Sequence, residues 1–460
     1  MMPKGLGQVN VTVLIILAVV IFLFFSLFNS FLGFSPENML LWVLVIAVLL
    51  VTLVNINISL IILIFSMLLS PEFVLGELGV ARRIVIRVDD ILLLVVCFTW
   101  LVKMAMNKQL GLLKFTPLQV PLLLFIGACV ISTSLALLAD EISLQESYFY
   151  ILKYFEYFLL YFMVVNNINS FKQIKIFTAF LFLVCIIVSF YTYPQIAALE
   201  KTTAPFEGPG GGEPNTLGGY QILLLAISAG VLLYTKSPFW RFSSIGLIVS
   251  TFPSFLYTQS RGSYLGFIFM YAAFILLSRK TRILFIVLLV IAILIFPFVI
   301  PRVVTDRIAY TFKSGEKFDV FGETVILEDA AAARVKNLRL VFREWKKRPV
   351  FGYGVTGVRL VDTQYARVLG ETGIVGSWIF VWMLVAIFKI CFRAFKATDD
   401  NWSKGLIIGF QAGFIGLLFH SFSAETFIIV RIMEPFWFFL AMINFISNKA
   451  NAEANAEKSA

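Results

Sequence analysis

The chain has a single histidine, His420, and only four cysteines, Cys97, Cys129, Cys185 and Cys391. Each cysteine lies in an apolar run, and none belongs to a CxxC pair. A zinc site needs several thiolates or imidazoles together, so none can be assembled from these residues. The cysteines read as small core side chains, neither disulfide partners nor metal ligands. Charge is scarce too. Charged residues are 14% of the 460, where a soluble domain carries about 25%. Phosphate-loop, nucleophile-elbow, HExxH and dinucleotide motifs are all missing. An ATP-driven pump is thereby excluded. No inward loop is long enough for a nucleotide-sugar-dependent catalytic domain.

Apolar surface is abundant instead, with 60% hydrophobic residues and a mean hydropathy of +0.92. Runs near ~20 residues recur along the chain, the length that crosses ~30 Å of hydrocarbon as a helix. They are continuous rather than alternating, so they are helices and not barrel strands. The run from Val11 to Phe31 follows Lys4. It is long and lacks a small-x-small cleavage site, which makes it a retained first span rather than a signal peptide. The net charge of +10 would suggest nucleic acid in a soluble protein. Here positive-inside bias and anionic lipid account for it, and nucleic acid is not expected as a partner.

Spans are expected near 11–32, 38–52, 56–70, 89–104, 117–138, 147–165, 174–193, 217–235, 241–258, 263–278, 282–300, 372–392, 404–421 and 426–446. The fold class is therefore all-α, a polytopic transmembrane bundle of about 12–14 spans with a long, partly helical outer loop. The stretch 38–70 lies between one crossing and two. Two short spans there place Lys4, Lys103, Lys108, Lys114, Lys172, Lys175, Lys236, Arg241, Arg279, Lys280, Arg282, Arg393, Lys396 and Lys404 on one side. That side is cytoplasmic, with both termini inside. Opposite loops carry acids such as Asp140, Glu141 and Glu146, the exception being the loop of Arg82, Arg83 and Arg87. The organisation is then membrane helices over 1–300, an outer loop over 301–370, closing membrane helices over 371–447 and a frayed tail over 448–460. A second outer loop, near 194–216, carries Gly208-Pro209-Gly210-Gly211-Gly212 and cannot continue a helix.

Arg261, in Ser260-Arg261-Gly262, falls between two spans at the outer face. An arginine at membrane level costs about 2.5–3.5 kcal/mol on insertion scales and usually marks function. Its fork suits phosphate; snorkelling to the interface is the competing reading. In the outer loop Arg334 shares a helical face with Leu338, Val341 and Trp345, while Lys336, Arg339, Arg343 and Lys347 line another. Arg334 should face the membrane domain and need an anionic partner, either a ligand or a structural carboxylate. Asp362 and Glu371 lie where the chain returns to the membrane; a carboxylate there is a candidate general base or a partner for nearby arginines. His420 ends its span beside Ser421 and Glu425, as a catalyst or a hydrogen-bonded interface residue. Lys153 with Glu156, and Arg431 with Glu434, are spaced for structural ion pairs.

These motifs in this order resemble the O-antigen ligase and O-antigen polymerase superfamily of bacterial envelope glycosyltransferases. The carriers are Ser260-Arg261-Gly262, the long outer loop with Arg334 ahead of Pro349, Gly352-x-Gly354, Asp362-x-x-Tyr365, Glu371-x-Gly373-x-x-Gly376, and Pro214-Asn215 before a span. The resemblance covers roughly 203–380. It implies an inverting, metal-independent transfer from an undecaprenyl-diphosphate-linked oligosaccharide, with no cofactor, at the outer face of the bacterial inner membrane. Arg261 and Arg334 would hold the diphosphate. Asp362, Glu371 or His420 would serve as base, supported by Gly352, Gly354, Tyr365 and Asn215. Membrane lipids and other assembly proteins, such as a chain-length regulator, would be partners. Where the ligase branch has a His-Asn pair, this chain has Asp362-Thr363, which favours a polymerase over a ligase. A lipid-glycan transporter is the reading from another class. The crowding of polar residues at the outer face, rather than the midplane, speaks against it.

Overall fold

The computed structural model describes residue 51 and residues 55–459, apart from short breaks at 79–81, 109–112, 141, 208–211, 279–281, 300–301, 311–315, 321–322 and 359–361. The expected spans 11–32 and 38–52 fall outside these residues, save Val51. Each of the other expected spans coincides with a helix: α1 Ile56–Leu69, α2 Val88–Met106, α3 Gln119–Leu138, α4 Leu144–Asn167 and α5 Phe171–Tyr191, then, after the short α6 Tyr193–Ala197, α7 Pro214–Tyr234, α8 Pro238–Tyr257, α9 Arg261–Leu277, α10 Arg282–Val299, α13 Gln364–Ala397, α14 Asn401–His420 and α15 Val430–Ser459. Seven helices among the described residues have the length and hydropathy to cross a membrane. The protein is an all-α polytopic bundle.

The segment between α10 and α13 contains α11 Arg302–Tyr310, a small hairpin of β3 Glu316–Val320 and β4 Glu323–Leu327, and the amphipathic α12 Asp329–Trp345. A second hairpin, β1 Glu72–Leu78 with β2 Arg82–Arg87, joins α1 to α2. Both decorate the same end of the bundle. Neither hairpin was expected, although the alternation in Arg83-Ile84-Val85-Ile86-Arg87 carries a weak strand signal. The tail expected to fray from 448 is helical to Ser459, since its Ala, Glu and Lys are good helix formers. On α12, Val341 is buried against Val358 and Ala366, as its face predicted. Leu338 is exposed, so the inward stripe is narrower than expected.

Helices α7, α14 and α15 form the interior, and large apolar side chains such as Leu123, Val130, Phe242, Ile283 and Trp378 line the outside. That is the arrangement a lipid environment requires, because lipid tails reward no withdrawal of leucine. Small residues bring α14 and α7 into backbone contact. A Cβ on Gly405 would lie 2.5 Å from the Gly230 carbonyl oxygen, and one on Gly409 would lie 2.6 Å from that of Ala226. Further along α14, Gly416 meets Gly266 of α9 in the same way.

One helix is broken. Within α13 Gly373 has φ +63°, ψ −161°. The chain from Pro349 to Gly354 lies in the break: Tyr353 N donates to Gly370 O (3.0 Å), Gly354 N to Glu371 O (2.9 Å) and Ile374 N to Pro349 O (2.9 Å). Ser132 of α3 donates to Glu371 O at 2.6 Å and accepts from Gly354 N at 3.0 Å. Gly352 and Gly354 hold φ of +70° and +81°, which only glycine adopts at little cost. The outer segment is thereby stitched to the bundle beside the site.

Substituting Gly409→Val should therefore lower stability by about 1–3 kcal/mol or more, because backbone, not a pliable side chain, lies in the way. Gly246→Ala on α8, where a Cβ meets nothing within 4 Å, should leave it equal or slightly raised. Thermal midpoints of the two variants in one detergent check this.

Candidate functional site

The start of α9 is held from two sides. Ser260 caps it, accepting from Ser263 N at 3.2 Å, and Ser260 Oγ donates to Asn215 Oδ1 of α7 at 2.5 Å. Gly218 and Gly262 let α7 and the 421–426 turn close onto this cap; a Cβ at either would collide with Ser263 or Ser423. Arg261, the first residue of α9, is thus aimed at the outer segment. Its guanidinium pairs with Glu328, whose other oxygen accepts from Arg307 Nη1 of α11 at 3.2 Å. Glu328 caps α12, where the helix dipole favours a carboxylate.

Arg334 lies further along α12, its side chain 27% exposed, with Nε 3.7 Å from Asp362 Oδ2. That separation is an ion pair without a hydrogen bond. Burial lowers the Arg334 pKa most, Asp362 and Glu328 raise it, and Arg261 and Arg307 lower it as like charges. A guanidinium stays protonated through such shifts. Arg261 and Arg307 thus meet at Glu328, Arg334 pairs with Asp362, and Asp362 is half-exposed. The cluster is open to water and gathers three guanidiniums in one place, which favours an anion. Sequence reasoning predicted Arg261, Arg334 and Asp362 as site residues, and the fold brings them together. It missed Arg307 and Glu328, which no motif marks.

The other candidate bases stand differently. Glu371 is buried. Its Oε1 accepts from Arg367 Nε at 3.0 Å and from Thr356 N at 2.9 Å. Arg367 also pairs with Glu425 and lies over the Tyr150 ring. Glu371 has the arginine partner its competing reading required, and it ties the loop to α13. His420 is fully buried, with Nδ1 2.8 Å from Thr426 Oγ1 and no ordinary hydrogen bond at Nε2. It packs under Gly219, Gly262 and Gly266. Tyr365 donates to Leu418 O at 2.6 Å, with its ring on Phe422. Among the described residues no group of His, Cys, Asp and Glu is arranged to hold a metal ion.

Residues 246–381 match the O-antigen ligase family. The resemblance read from the sequence is upheld. No curated protein matches the chain. The O-antigen ligase region contains Arg261, Arg307, Glu328, Arg334, Asp362, Arg367 and Glu371, so the whole arginine cluster lies within it. Asn215, His420 and Glu425 lie outside it and support it from α7 and the α14–α15 turn. The match supports an enzyme of the O-antigen ligase or polymerase kind, in a chain with multiple apolar helices.

One predicted pair is not made. Arg431 does not take Glu434 but Glu72 Oε1 at 3.2 Å and, more loosely, Glu207 at 3.9 Å. Glu434 faces Arg87 at 3.5 Å instead. The unexpected hairpin supplies both new partners, so spacing along α15 alone misassigned them. Lys153 and Glu156 do pair, at 3.3 Å. Burial pushes the Glu207 carboxyl up to about 7, and Arg431 only partly opposes this.

Two outcomes follow from this geometry. Ser260→Ala should cost about 1 kcal/mol of stability through the lost cap, and should impair activity more than stability because Arg261 loses its aim. Paired melting and transfer measurements separate the two effects. Glu207 binds a proton in the folded state at pH values where the unfolded chain has released it. Its contribution is full below about pH 4.5 and is lost as pH rises through about 7. Melting curves from pH 5 to 8 should show the wild type falling relative to Glu207→Gln across that window.

Proposed function

We propose that the chain is a membrane glycosyltransferase that polymerises glycan units carried on undecaprenyl diphosphate at the outer face of the bacterial inner membrane. The observation that carries this reading is the convergence of Arg261, Arg307 and Arg334 beside the half-exposed Asp362. A diphosphate is the group such a cluster fits, since each guanidinium donates in a fork matched to phosphate oxygens. Orientation is supported by the lysines, for Lys236 and Lys404 lie at the far ends of α7 and α14, whose other ends pack at the start of α9 beside Arg261.

In the proposed reaction an acceptor hydroxyl oxygen attacks the anomeric carbon from the face opposite the diphosphate. The new C–O bond forms as the bond to the diphosphate breaks, and the leaving group keeps the electron pair. Arg261, Arg307 and Arg334 receive that charge. Asp362 takes the hydroxyl proton. Inversion follows from the single displacement, and the guanidiniums supply the charge that a metal would otherwise bring. Asp362 is the base in this reading because it is half-exposed and its pair with Arg334 is a loose 3.7 Å, whereas Glu328 is shared by two arginines and Glu371 and His420 are buried. The same enclosure weighs against a ligase that works through histidine.

Arg261→Ala and Arg334→Ala should each reduce transfer by about 10²–10³-fold, the loss typical of removing one preorganised charge donor. Asp362→Asn should do likewise, with membrane insertion intact. The assay uses purified protein with lipid-linked repeat units. Long lipid-linked chains mark a polymerase, and product on a lipid A core marks a ligase. Full transfer by both arginine variants would end this reading.

A further inference from the structure

A cavity of about 200 Å³ lies at the same end of the bundle, between the β1–β2 hairpin, the first turns of α4 and α7, and the residues leading into α15. Phe149 and Tyr150 form one wall, and Glu72, Glu207, Thr216 and Arg431 form others. We propose that it is the acceptor subsite, holding an uncharged sugar ring of the incoming glycan; this rests on the glycosyltransferase reading above.

Its chemistry differs from that of the arginine cluster. Every cation at the cavity is already matched. Arg431 has Glu72 and Glu207, Lys153 has Asp90 and Glu156, and Arg87 has Asp89. Glu434 adds a further carboxylate beside Arg87. With each described cation already beside a carboxylate, none is left over to take a second diphosphate. A ligand with hydroxyls suits the lining, because a hydroxyl both donates and accepts. Carboxylate oxygens of Glu72 and Glu207 can accept, and the aromatic wall offers a face to a ring's C–H surface.

The site is built rather than incidental. Arg431 is 2% exposed, and its guanidinium is fixed by three backbone carbonyls, Leu68 O at 3.2 Å, Pro205 O at 2.5 Å and Phe206 O at 3.1 Å. After all these contacts Arg431 Nε still lacks a hydrogen bond, and so does Arg87 Nε, itself 4% exposed. Buried N–H groups of charged side chains rarely go unpaired without a reason. Both residues line the cavity, so the lining is held rigid by buried charged groups.

Position points to the acceptor. Glu207 Oε2 accepts from Glu213 N at 2.6 Å, just before α7. Glu213 is the N-cap residue of α7. Thr216 of the cavity wall follows Asn215, which holds the Ser260 cap before Arg261. One turn, 213–216, therefore separates the cavity from the reacting groups. A glycan seated in the cavity can present its next hydroxyl to Asp362 while the donor diphosphate occupies the arginines.

The test is direct binding, independent of catalysis. Repeat-unit oligosaccharide released from the host's envelope glycan is titrated into the purified full chain in detergent. Thr216→Phe fills the cavity without touching an ion pair, and Tyr150→Ala removes the aromatic wall. Each should weaken binding by about tenfold, with the folded fraction checked by melting, whereas Arg261→Ala should bind as the wild type does. The proposal is overturned if the wild type binds no oligosaccharide, if both cavity variants bind normally, or if only Arg261→Ala loses binding. Saccharide binding that depends on the cavity, with no glycan transfer by the wild type, would uphold the subsite and sink the polymerase reading instead.

Discussion

The break in α13 at Gly373 organises the site. A helix interrupted inside a membrane bundle leaves backbone groups that lipid cannot satisfy. Here the Pro349–Gly354 segment satisfies them, and Ser132 of α3 joins in. The exchange of hydrogen bonds locks an otherwise surface-borne segment to the transmembrane core. Arg334 and Asp362 come from opposite ends of that segment, yet they meet beside Arg261 because its return into the bundle is fixed. Glu371 serves the same end, its carboxylate joining Thr356 of the loop to Arg367 of the helix.

Two kinds of electrostatics then operate at one end of the molecule. In the arginine cluster three guanidiniums gather and water has access, so an anion is welcome. Around Arg431, Arg87 and Lys153 each cation has a carboxylate beside it and the groups are buried. Burying ion pairs is costly unless hydrogen bonds compensate, and the three backbone carbonyls at Arg431 are such compensation. Keeping these two environments apart is the work of the α7 N-terminus and the turn before it.

Much of this was legible in the sequence, for physical reasons. Continuous apolar runs leave few alternatives to membrane helices, and in the described region helices stand where spans were expected, seven of them long and apolar enough to cross a membrane. Arg261 and Arg334 stood out because a cation beside apolar residues needs an explanation. Partner choice was less visible. Arg431 takes one carboxylate from a hairpin and another from the loop before α7, both more than two hundred residues away in sequence, which no local spacing can announce. Arg307 and Glu328 sit among other charges and look ordinary until the fold sets them against Arg261. The glycines of α14 could have been found: Gly405, Gly409 and Gly413 recur every fourth residue, the small-residue spacing of close helix pairs.

That glycine ladder has a mechanical corollary. Where main chain rests on main chain, as between Gly230 and Gly405, no side-chain rotamer is available to act as a bearing, and neither helix can slip along the other. Helices α7 and α14 are consequently a single stiff keel, which carries Asn215 and His420 together at its outer end. If the proposed lipid-linked substrate is admitted by a movement of the protein, that movement falls to the outlying helices and the outer segment rather than to this pair.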